Sequence, residues 1–232
     1  MSMTVAASGP DRSHIADVTS REELIYLLSR ASELEHGLAC VYLFAAYSLK
    51  NDEREGGLNA DQAQMVRGWK RRLATVGIEE MLHLAQVSNL LTAIGGAAHL
   101  KRVNFPMPAN AFPLGIPLSL EPFSQATIER LLCFELPEAG VLPAQKAGVY
   151  EAIRARVAPP QPAPAPPSLT SAAALTEPYD LDFRTVGDFY HKILTGFLRI
   201  PADVLFIGPP QAQANASYLD LENRLVPIVD AV

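Results

Sequence analysis

The segment IEEMLHLAQ, residues 78–86, places a carboxylate and an imidazole three positions apart in a sequence typical of a helix. Side chains at positions i and i+3 of a helix lie on the same face, so Glu80 and His83 point the same way. Glu35, in the apolar segment ELEHGLACVYL, offers a second carboxylate. Because carboxylate and imidazole ligands together suit iron, manganese and zinc, these three residues predict a metal site.

Both carboxylates interrupt stripes of apolar side chains. Read in steps of three and four, the stripes are Leu24, Leu28, Ala31, Glu35, Leu38 and Tyr42, and Leu73, Val76, Glu80, His83, Val87, Leu90 and Ile94. A carboxylate buried alone is unstable as an ion, so the interface between the stripes must contain a compensating group. A divalent metal is one such group. A buried ion pair, with His83 as a hydrogen-bonded core histidine, is the alternative, because Glu-x-x-His spacing also arises by chance.

One glutamate on a first helix and Glu-x-x-His on a second are half of the di-metal carboxylate arrangement of helical bundles. The full arrangement repeats the set on two more helices, and Glu135, Asp188 and His191 are the candidates for that second half. Asp188 and His191 repeat the i, i+3 spacing, with surface or capping roles as the alternative for all three residues. His36, which directly follows Glu35, is a further candidate ligand.

Two tyrosines accompany these candidates. Tyr42 belongs to the same stripe as Glu35, and Tyr190 directly precedes His191. Both are candidate catalytic residues, in a redox or hydrogen-bonding role beside the metal. Packing of the aromatic ring in the core is the alternative for each.

The elements that must position these residues are helices. A capping box at Ser20 and Glu23, followed by an apolar pattern with helical period, predicts a first helix over 20–49. A second helix is predicted over 59–95, where two glycines supply the stop signal. Each helix would be on the order of 45 Å long. The short polar connection at 50–58 predicts that the two pack antiparallel as a hairpin.

The helices predicted after residue 100 are shorter than the first two. Closely spaced prolines after residue 100 predict a long irregular crossover. Further helices are predicted over 122–136, beginning at Pro122, over 143–157 and over 184–199. A proline-rich loop or linker is predicted at about 158–168, and the last segment, YLDLENRLVPIVDAV, reads as a weak helix or strand. We therefore expect an all-α helical bundle built on the long hairpin, with a disordered segment at 1–19 and one domain over 20–232.

Composition sets limits on the function. The chain of 232 residues is 49% hydrophobic and 19% charged, with a formal net charge of -6 at pH 7. Its Lys and Arg residues form no basic face of the kind that phosphate binding needs, so no nucleic-acid partner is expected. The longest apolar stretch, residues 38–49, is shorter than the roughly 20 residues of a membrane span. Cys40 and Cys133 are too far apart for a CxxC pair, and the N-terminus has no secretory pattern, so we expect a cytoplasmic protein.

The segments ELEHGLACVYLFAAYSLK and GIEEMLHLAQVSNLLTAIGG resemble the ferritin-like domain family associated with iminophenyl-pyruvate dimer synthase. The resemblance extends through FELPE, TVGDFYHKIL and FIGPPQAQ, and so covers most of the chain. It implies a ferritin-like bundle that binds one or two iron ions, with Glu35, Glu80 and His83 at the ligand positions. It also implies a role in specialised metabolism, where relatives are linked to oxidative coupling of imines derived from aromatic amino acids.

The expected function is therefore a ferritin-like non-haem iron oxidoreductase that acts on a small organic substrate with dioxygen or peroxide. A non-catalytic iron-binding or assembly protein with the same fold is the alternative. Family members continue past the position of VPIVDAV into a helix with a Gly-Glu-Gly segment and a later His. If that helix supplies the remaining ligands in the family, this chain holds half of a bundle site, and a second chain or a second copy of this one has to cover the apolar stripes. Because a hairpin alone cannot bury the apolar stripes of two long helices, we expect a homodimer, or a distinct partner chain that completes the bundle.

Overall fold

A computed structural model describes the chain over residues 17–102, 104–107, 115–137, 142, 144–157, 183–209, 217–219 and 225–227. Most of the predicted disordered N-terminal segment, residues 1–16, and the whole proline-rich stretch 158–168 lie outside the described residues. The described residues confirm the predicted fold class, an all-α bundle built on a long helical hairpin.

The long helices follow the predicted order. In chain order the helices are α1 (Arg21–Ser48), α2 (Ala60–Ala93), α3 (Gln125–Phe134), α4 (Ala144–Val157), α5 (Val186–Arg199) and the single turn α6 (Ala202–Leu205), which the pattern does not predict. In the last segment, for which the sequence predicts a weak helix or strand, β1 (Ser217–Leu219) and β2 (Leu225–Pro227) pair antiparallel. α1 packs against α2 and α5, and α3 packs against α4.

In the hairpin of α1 and α2, the second helix begins where its capping residues predict. Asn59 and Gln62 form a complete capping box, in which each side chain accepts a hydrogen bond from the backbone N–H of the other residue. The two helices approach closely at Gly77, where a Cβ atom would lie 3.1 Å from Leu43 Cδ2. A glycine inside a helix lowers helix stability by about 1 kcal/mol relative to alanine. The close packing of the two helices therefore explains why a glycine is present at position 77.

The start of α1 differs from the prediction. Ser20 accepts a hydrogen bond from the Glu23 N–H, but the Glu23 carboxylate accepts from the Thr19 N–H and lies 3.2 Å from Lys192 Nζ. The predicted capping box is therefore only half formed, because Glu23 forms a buried ion pair with Lys192 on α5. Val18, which precedes the first helix, is also buried in the core.

The third helix begins later than predicted. α3 starts at Gln125 and not at Pro122, because the Ser124 hydroxyl accepts a hydrogen bond from the Thr127 N–H and so caps the helix. The Pro122 carbonyl accepts a hydrogen bond from the Thr127 hydroxyl and remains outside the helix. The helix ends at Phe134, so that the candidate ligand Glu135 is its C-cap residue.

The core lies along α1 and extends to α2, α3 and α5. Its most deeply buried large side chains include Leu24, Leu27, Leu28, Leu34, Leu91, Ile94 and Phe189. Cys40 and Cys133 are both free thiols, half-buried and buried respectively. Among the helices of the described residues, none combines the length and the hydropathy that crossing a membrane requires.

Candidate metal centre

Three ligand side chains meet inside the hairpin. Glu35 of α1 and Glu80 and His83 of α2 each contribute one ligand atom to a cluster whose atoms all lie within 4.8 Å of one another. The two glutamates are 2% and 4% exposed, whereas the His83 side chain is 47% exposed. The helical stripes of α1 and α2 face each other, and this arrangement brings the three predicted ligands together.

The distances within the cluster suit a common ion. His83 Nδ1 lies 3.4 Å from Glu35 Oε2 and 3.3 Å from Glu80 Oε2. Two ligand atoms that each lie about 2.1 Å from a tetrahedral metal ion are about 3.4 Å apart, so these separations already match those around one ion. Carboxylate oxygen and imidazole nitrogen are also the ligand types that iron, manganese and zinc accept.

A tyrosine from α5 orients one of the ligands. The Tyr190 hydroxyl donates a hydrogen bond to Glu35 Oε1. The second oxygen, Oε2, is buried and lies 3.4 Å from His83 Nδ1, but it receives no hydrogen bond of good geometry from the described residues. A buried carboxylate oxygen without a donor is costly unless a cation lies next to it. Protonated His83 offers this oxygen only a long contact, so the cluster also fits a metal ion that binds Oε2 directly.

The three groups alter one another's protonation. The neighbouring carboxylates of Glu35 and Glu80 raise the pKa of His83 to about 10, against the opposing effect of burial. Burial raises the pKa of Glu80 to about 7, and the charge of Glu35 adds to the rise while the hydrogen bond to His83 opposes it. Without a metal the cluster therefore holds protons at neutral pH, and a metal ion must displace them.

A cavity of about 420 Å³ opens beside the cluster, and Glu35, Glu80 and His83 line it. Its apolar lining consists of Leu38, Val87, Phe134, Leu136, Pro137, Val186 and Leu194, with the Gly187 backbone. Small-molecule sites in proteins have comparable volumes and walls that are mainly apolar. A small organic molecule in this cavity would therefore contact the three ligand residues directly.

Glu135 lines the same cavity but pairs with a different tyrosine. The Tyr42 hydroxyl donates a hydrogen bond of 2.5 Å to Glu135 Oε1. Burial raises the pKa of Glu135, while the hydrogen bond from Tyr42 lowers it. Burial and the adjacent Glu135 charge raise the pKa of Tyr42 far above its usual value, so the phenol remains a donor. Glu135 is thus a cavity residue outside the cluster of three ligands.

Comparison with known proteins agrees with the resemblance seen in the sequence. A profile of the family described as Ferritin-like matches residues 28–231. The chain belongs to the ferritin-like family. Ferritin-like bundles commonly bind metals through carboxylate and imidazole side chains that project into the bundle. The cluster of Glu35, Glu80 and His83 has these ligand types and this location.

Two relatives of the ferritin-like chain have names that describe enzymes. The chain is 33% identical over 159 residues to the 2-imino-3-(indol-3-yl)propanoate dimerase of Chromobacterium violaceum, with 60% of this chain and 16% of that protein covered. It is 22% identical over 199 residues to the dichlorochromopyrrolate synthase of Lentzea aerocolonigenes, with 79% of this chain and 18% of that protein covered. The chain therefore spans less than a fifth of either relative. No solved structure matches it significantly.

The candidate ligands on α5 occupy different positions in the ferritin-like bundle. His191 lines the cavity together with Tyr190. Asp188 is 2% exposed, and its backbone N–H donates to the Thr185 hydroxyl, which caps α5 and starts the helix at Val186. Asp188 is not one of the described residues that line the cavity. The predicted pair of Asp188 and His191 is therefore split between the core and the cavity.

The buried face of α5 contains charged residues as well as apolar ones. The buried residues of this helix are Asp188, Phe189, Lys192, Ile193 and Gly196. A Cβ atom at Gly196 would lie 3.0 Å from Val18 Cγ1, so the glycine allows α5 to pack closely against the chain preceding α1. The ion pair between Lys192 and Glu23 compensates the buried charge on the same face.

The candidate ligand His36 lies outside the cluster of Glu35, Glu80 and His83. Its Nδ1–H donates a hydrogen bond of 3.0 Å to the Leu100 carbonyl, which attaches the segment after α2 to α1. Consecutive residues of a helix do not share a face, so Glu35 and His36 cannot both face the hairpin interior.

Sequence reasoning missed one polar residue of the site. Gln86 is 5% exposed and lines the cavity. It lies three positions after His83, as His83 lies three positions after Glu80, so the same spacing rule could have found it.

Proposed function

We propose that this ferritin-like chain is an iron-dependent oxidoreductase that oxidises a small organic substrate in the cavity beside Glu35, Glu80 and His83. The observation that carries the proposal is that the ligand cluster opens into a cavity large enough for such a molecule. A cluster that served only the stability of the fold would be closed by side chains. The chemistry that a bound iron ion supplies is the transfer of electrons from the substrate to dioxygen or peroxide.

The substrate class that we propose is an imine derived from an aromatic amino acid. One relative is named as a dimerase of 2-imino-3-(indol-3-yl)propanoate, which is such an imine. Joining two of these molecules by a carbon–carbon bond removes two electrons and two protons, and one hydrogen peroxide molecule takes them up to form two water molecules. The apolar walls at Leu38, Val87 and Phe134 suit an aromatic ring.

The residues of the site have distinct roles in this proposal. Glu35, Glu80 and His83 hold the iron ion. Tyr190 positions Glu35 by donating a hydrogen bond to Oε1, which leaves Oε2 as the oxygen that would bind the ion. The apolar side chains of the cavity exclude water from the substrate, which strengthens every electrostatic interaction made inside it.

A non-catalytic iron-binding or assembly role is the second candidate. The observation that favours it is an apolar surface on α2, formed by Ile78, Met81 and Leu82, which are all exposed. Exposed apolar groups of this kind mark contacts with other protein chains. The open cavity beside the ligands supports the enzyme over this alternative.

Iron content and substrate oxidation test the proposal together. Wild type and Glu80→Gln are purified with iron present, and Glu79→Gln is the matched control, because Glu79 is the exposed neighbour on the same helix. We expect wild type and Glu79→Gln to retain iron and to consume peroxide when 2-imino-3-(indol-3-yl)propanoate is supplied. Glu80→Gln should lose most of the iron and the activity.

Two results would count against the proposal in different ways. Equal iron content, stability and activity in wild type and Glu80→Gln would show that the cluster is not the site. Iron bound by wild type and lost from Glu80→Gln, without oxidation of the imine, would favour the non-catalytic role.

A further inference from the structure

The cavity contains a second polar position, separate from the three metal ligands. Glu135 lies at the end of α3, whereas Glu35, Glu80 and His83 belong to α1 and α2. A molecule that fills the cavity would therefore meet the ligand cluster on the wall formed by the hairpin and a carboxylate on the wall formed by α3.

A hydrogen bond from Tyr42 orients the Glu135 carboxylate. Tyr42 is 5% exposed, and its hydroxyl donates to Glu135 Oε1. A buried phenol that stays protonated can only donate to this carboxylate, so it stabilises the ionised form of Glu135. The hydrogen bond uses one carboxylate oxygen and leaves Oε2 available to a ligand. Within the described part of the chain, Glu135 forms no ion pair.

Charge balance distinguishes Glu135 from the other acidic residues of the cavity. A divalent ion in the cluster neutralises the two charges of Glu35 and Glu80, with His83 as a neutral ligand. The Glu135 carboxylate lies outside this cluster, on the α3 side of the cavity, and a cationic group of a ligand is the partner with which it would form a charge-assisted hydrogen bond.

We propose that Glu135, positioned by Tyr42, binds the protonated nitrogen of the molecule that occupies this cavity, so that the ligand is an organic cation with an apolar or aromatic body. The apolar body packs on Leu38, Phe134 and Leu194, and the nitrogen donates to Glu135 Oε2. The inference rests on the proposed function only in calling this ligand the substrate. It defines the substrate class further, as an amine or imine bound in its protonated form.

Three probes with the same indole ring test this inference by isothermal titration calorimetry. Tryptamine carries an ammonium group, tryptophol carries a neutral hydroxyl and indole-3-propionate carries a carboxylate. We expect wild type to bind tryptamine about tenfold or more tightly than tryptophol, as a charge-assisted hydrogen bond predicts, and to bind indole-3-propionate weakest of the three.

Variants assign the preference to Glu135. Glu135→Gln should bind tryptamine and tryptophol equally, and Tyr42→Phe should retain only part of the preference for tryptamine. Glu151→Gln, an exposed glutamate on α4, is the matched control and should bind all three probes as wild type does. Circular dichroism and thermal melting show which variants are folded, and Tyr42→Phe provides a second test if Glu135→Gln does not fold.

The inference is overturned if wild type binds tryptamine no more tightly than tryptophol, or if Glu135→Gln keeps the preference. Loss of iron from Glu135→Gln would also overturn it, because Glu135 would then be a metal ligand. Titrations of iron-loaded and metal-free protein separate this inference from the proposed function. A Glu135-dependent preference in a protein that binds no iron would contradict the proposed function and support the cation site.

Discussion

The hydroxyl of Tyr190 on α5 donates a hydrogen bond to the buried carboxylate of Glu35 on α1. This contact joins residues that are distant in the sequence, and it connects the packing of α5 directly to the geometry of the ligand cluster. The hydroxyl occupies Glu35 Oε1, so the oxygen that remains for a metal ion is Oε2, which the described residues leave without a hydrogen-bond donor.

Removing this hydroxyl should weaken both the fold and the metal site. Tyr190→Phe leaves Glu35 Oε1 buried without a donor, which costs about 1–3 kcal/mol of unfolding free energy in the metal-free protein. Metal affinity should fall about tenfold, because Glu35 is then free to rotate. Urea unfolding and metal titration measure the two effects. Tyr47→Phe, which alters an exposed tyrosine, is the control, and equal values for Tyr190→Phe and wild type would contradict the positioning role.

The stability of the metal-free protein should fall as the pH rises. The folded-state pKa of His83 is raised to about 10, so its stabilising contribution is complete below its unfolded value of about 6.5 and is lost as the pH rises through 10. The folded-state pKa of Glu80 is raised to about 7, so stability is also lost between about pH 4.5 and 7. Both shifts have the same sign.

A bound metal should reverse this trend, because it needs His83 and Glu80 deprotonated. The rise in Tm on adding Zn²⁺ to protein treated with EDTA should therefore be larger at about pH 8.5 than at about pH 6. His83→Gln should show little rise at either pH. A rise that is equal at both pH values in wild type would show that protons and metal do not compete for these groups.

A second buried ion pair allows a test of the fold without the site. Lys192 and Glu23 are 1% and 7% exposed and pair at 3.2 Å. Lys192→Met should lower the unfolding free energy by about 3 kcal/mol, because it leaves the Glu23 carboxylate buried without its cation. The double variant Glu23→Gln with Lys192→Met should recover part of that loss. Since neither residue lines the cavity, metal affinity per folded molecule should not change, and a change would contradict this separation of fold from site.

The two long helices of this fold, and the side chains on their facing stripes, could be predicted from the sequence. The stripe containing Glu35 and the stripe containing Glu80 and His83 follow from helical spacing, and the hairpin that joins them follows from the short polar connection at 50–58. Each of these inferences depends on neighbours within a few residues, for which helix geometry leaves little choice.

The rest of the site depends on contacts between residues far apart in the chain. The pairing of Tyr42 with Glu135 and of Tyr190 with Glu35 joins helices whose relative placement the spacing does not determine. The burial of Lys192 on α5 could not be predicted either, because this residue looks like a surface residue until its partner Glu23 is known. Hydropathy patterns assign such a lysine to solvent, and only tertiary packing reverses the assignment.

The last prediction concerns assembly. Ile78, Met81 and Leu82 lie beside the ligand cluster in α2 and are 62%, 53% and 48% exposed. Because burying exposed apolar area is favourable, we predict that two copies of the chain associate through this face of α2 as a homodimer. Met81→Glu should shift the protein toward monomer in sedimentation experiments at micromolar concentration. Leu198→Glu, at an exposed leucine of α5, is the matched control and should not shift it.

Sedimentation with and without iron then shows whether the second copy completes the site. If it does, iron should strengthen the association and dilution should weaken iron binding, because association and binding are linked. Met81→Glu should in that case also bind iron more weakly than Leu198→Glu. A compact monomer at micromolar concentration that holds stoichiometric iron would show that the chain forms its site alone and that the predicted homodimer is wrong.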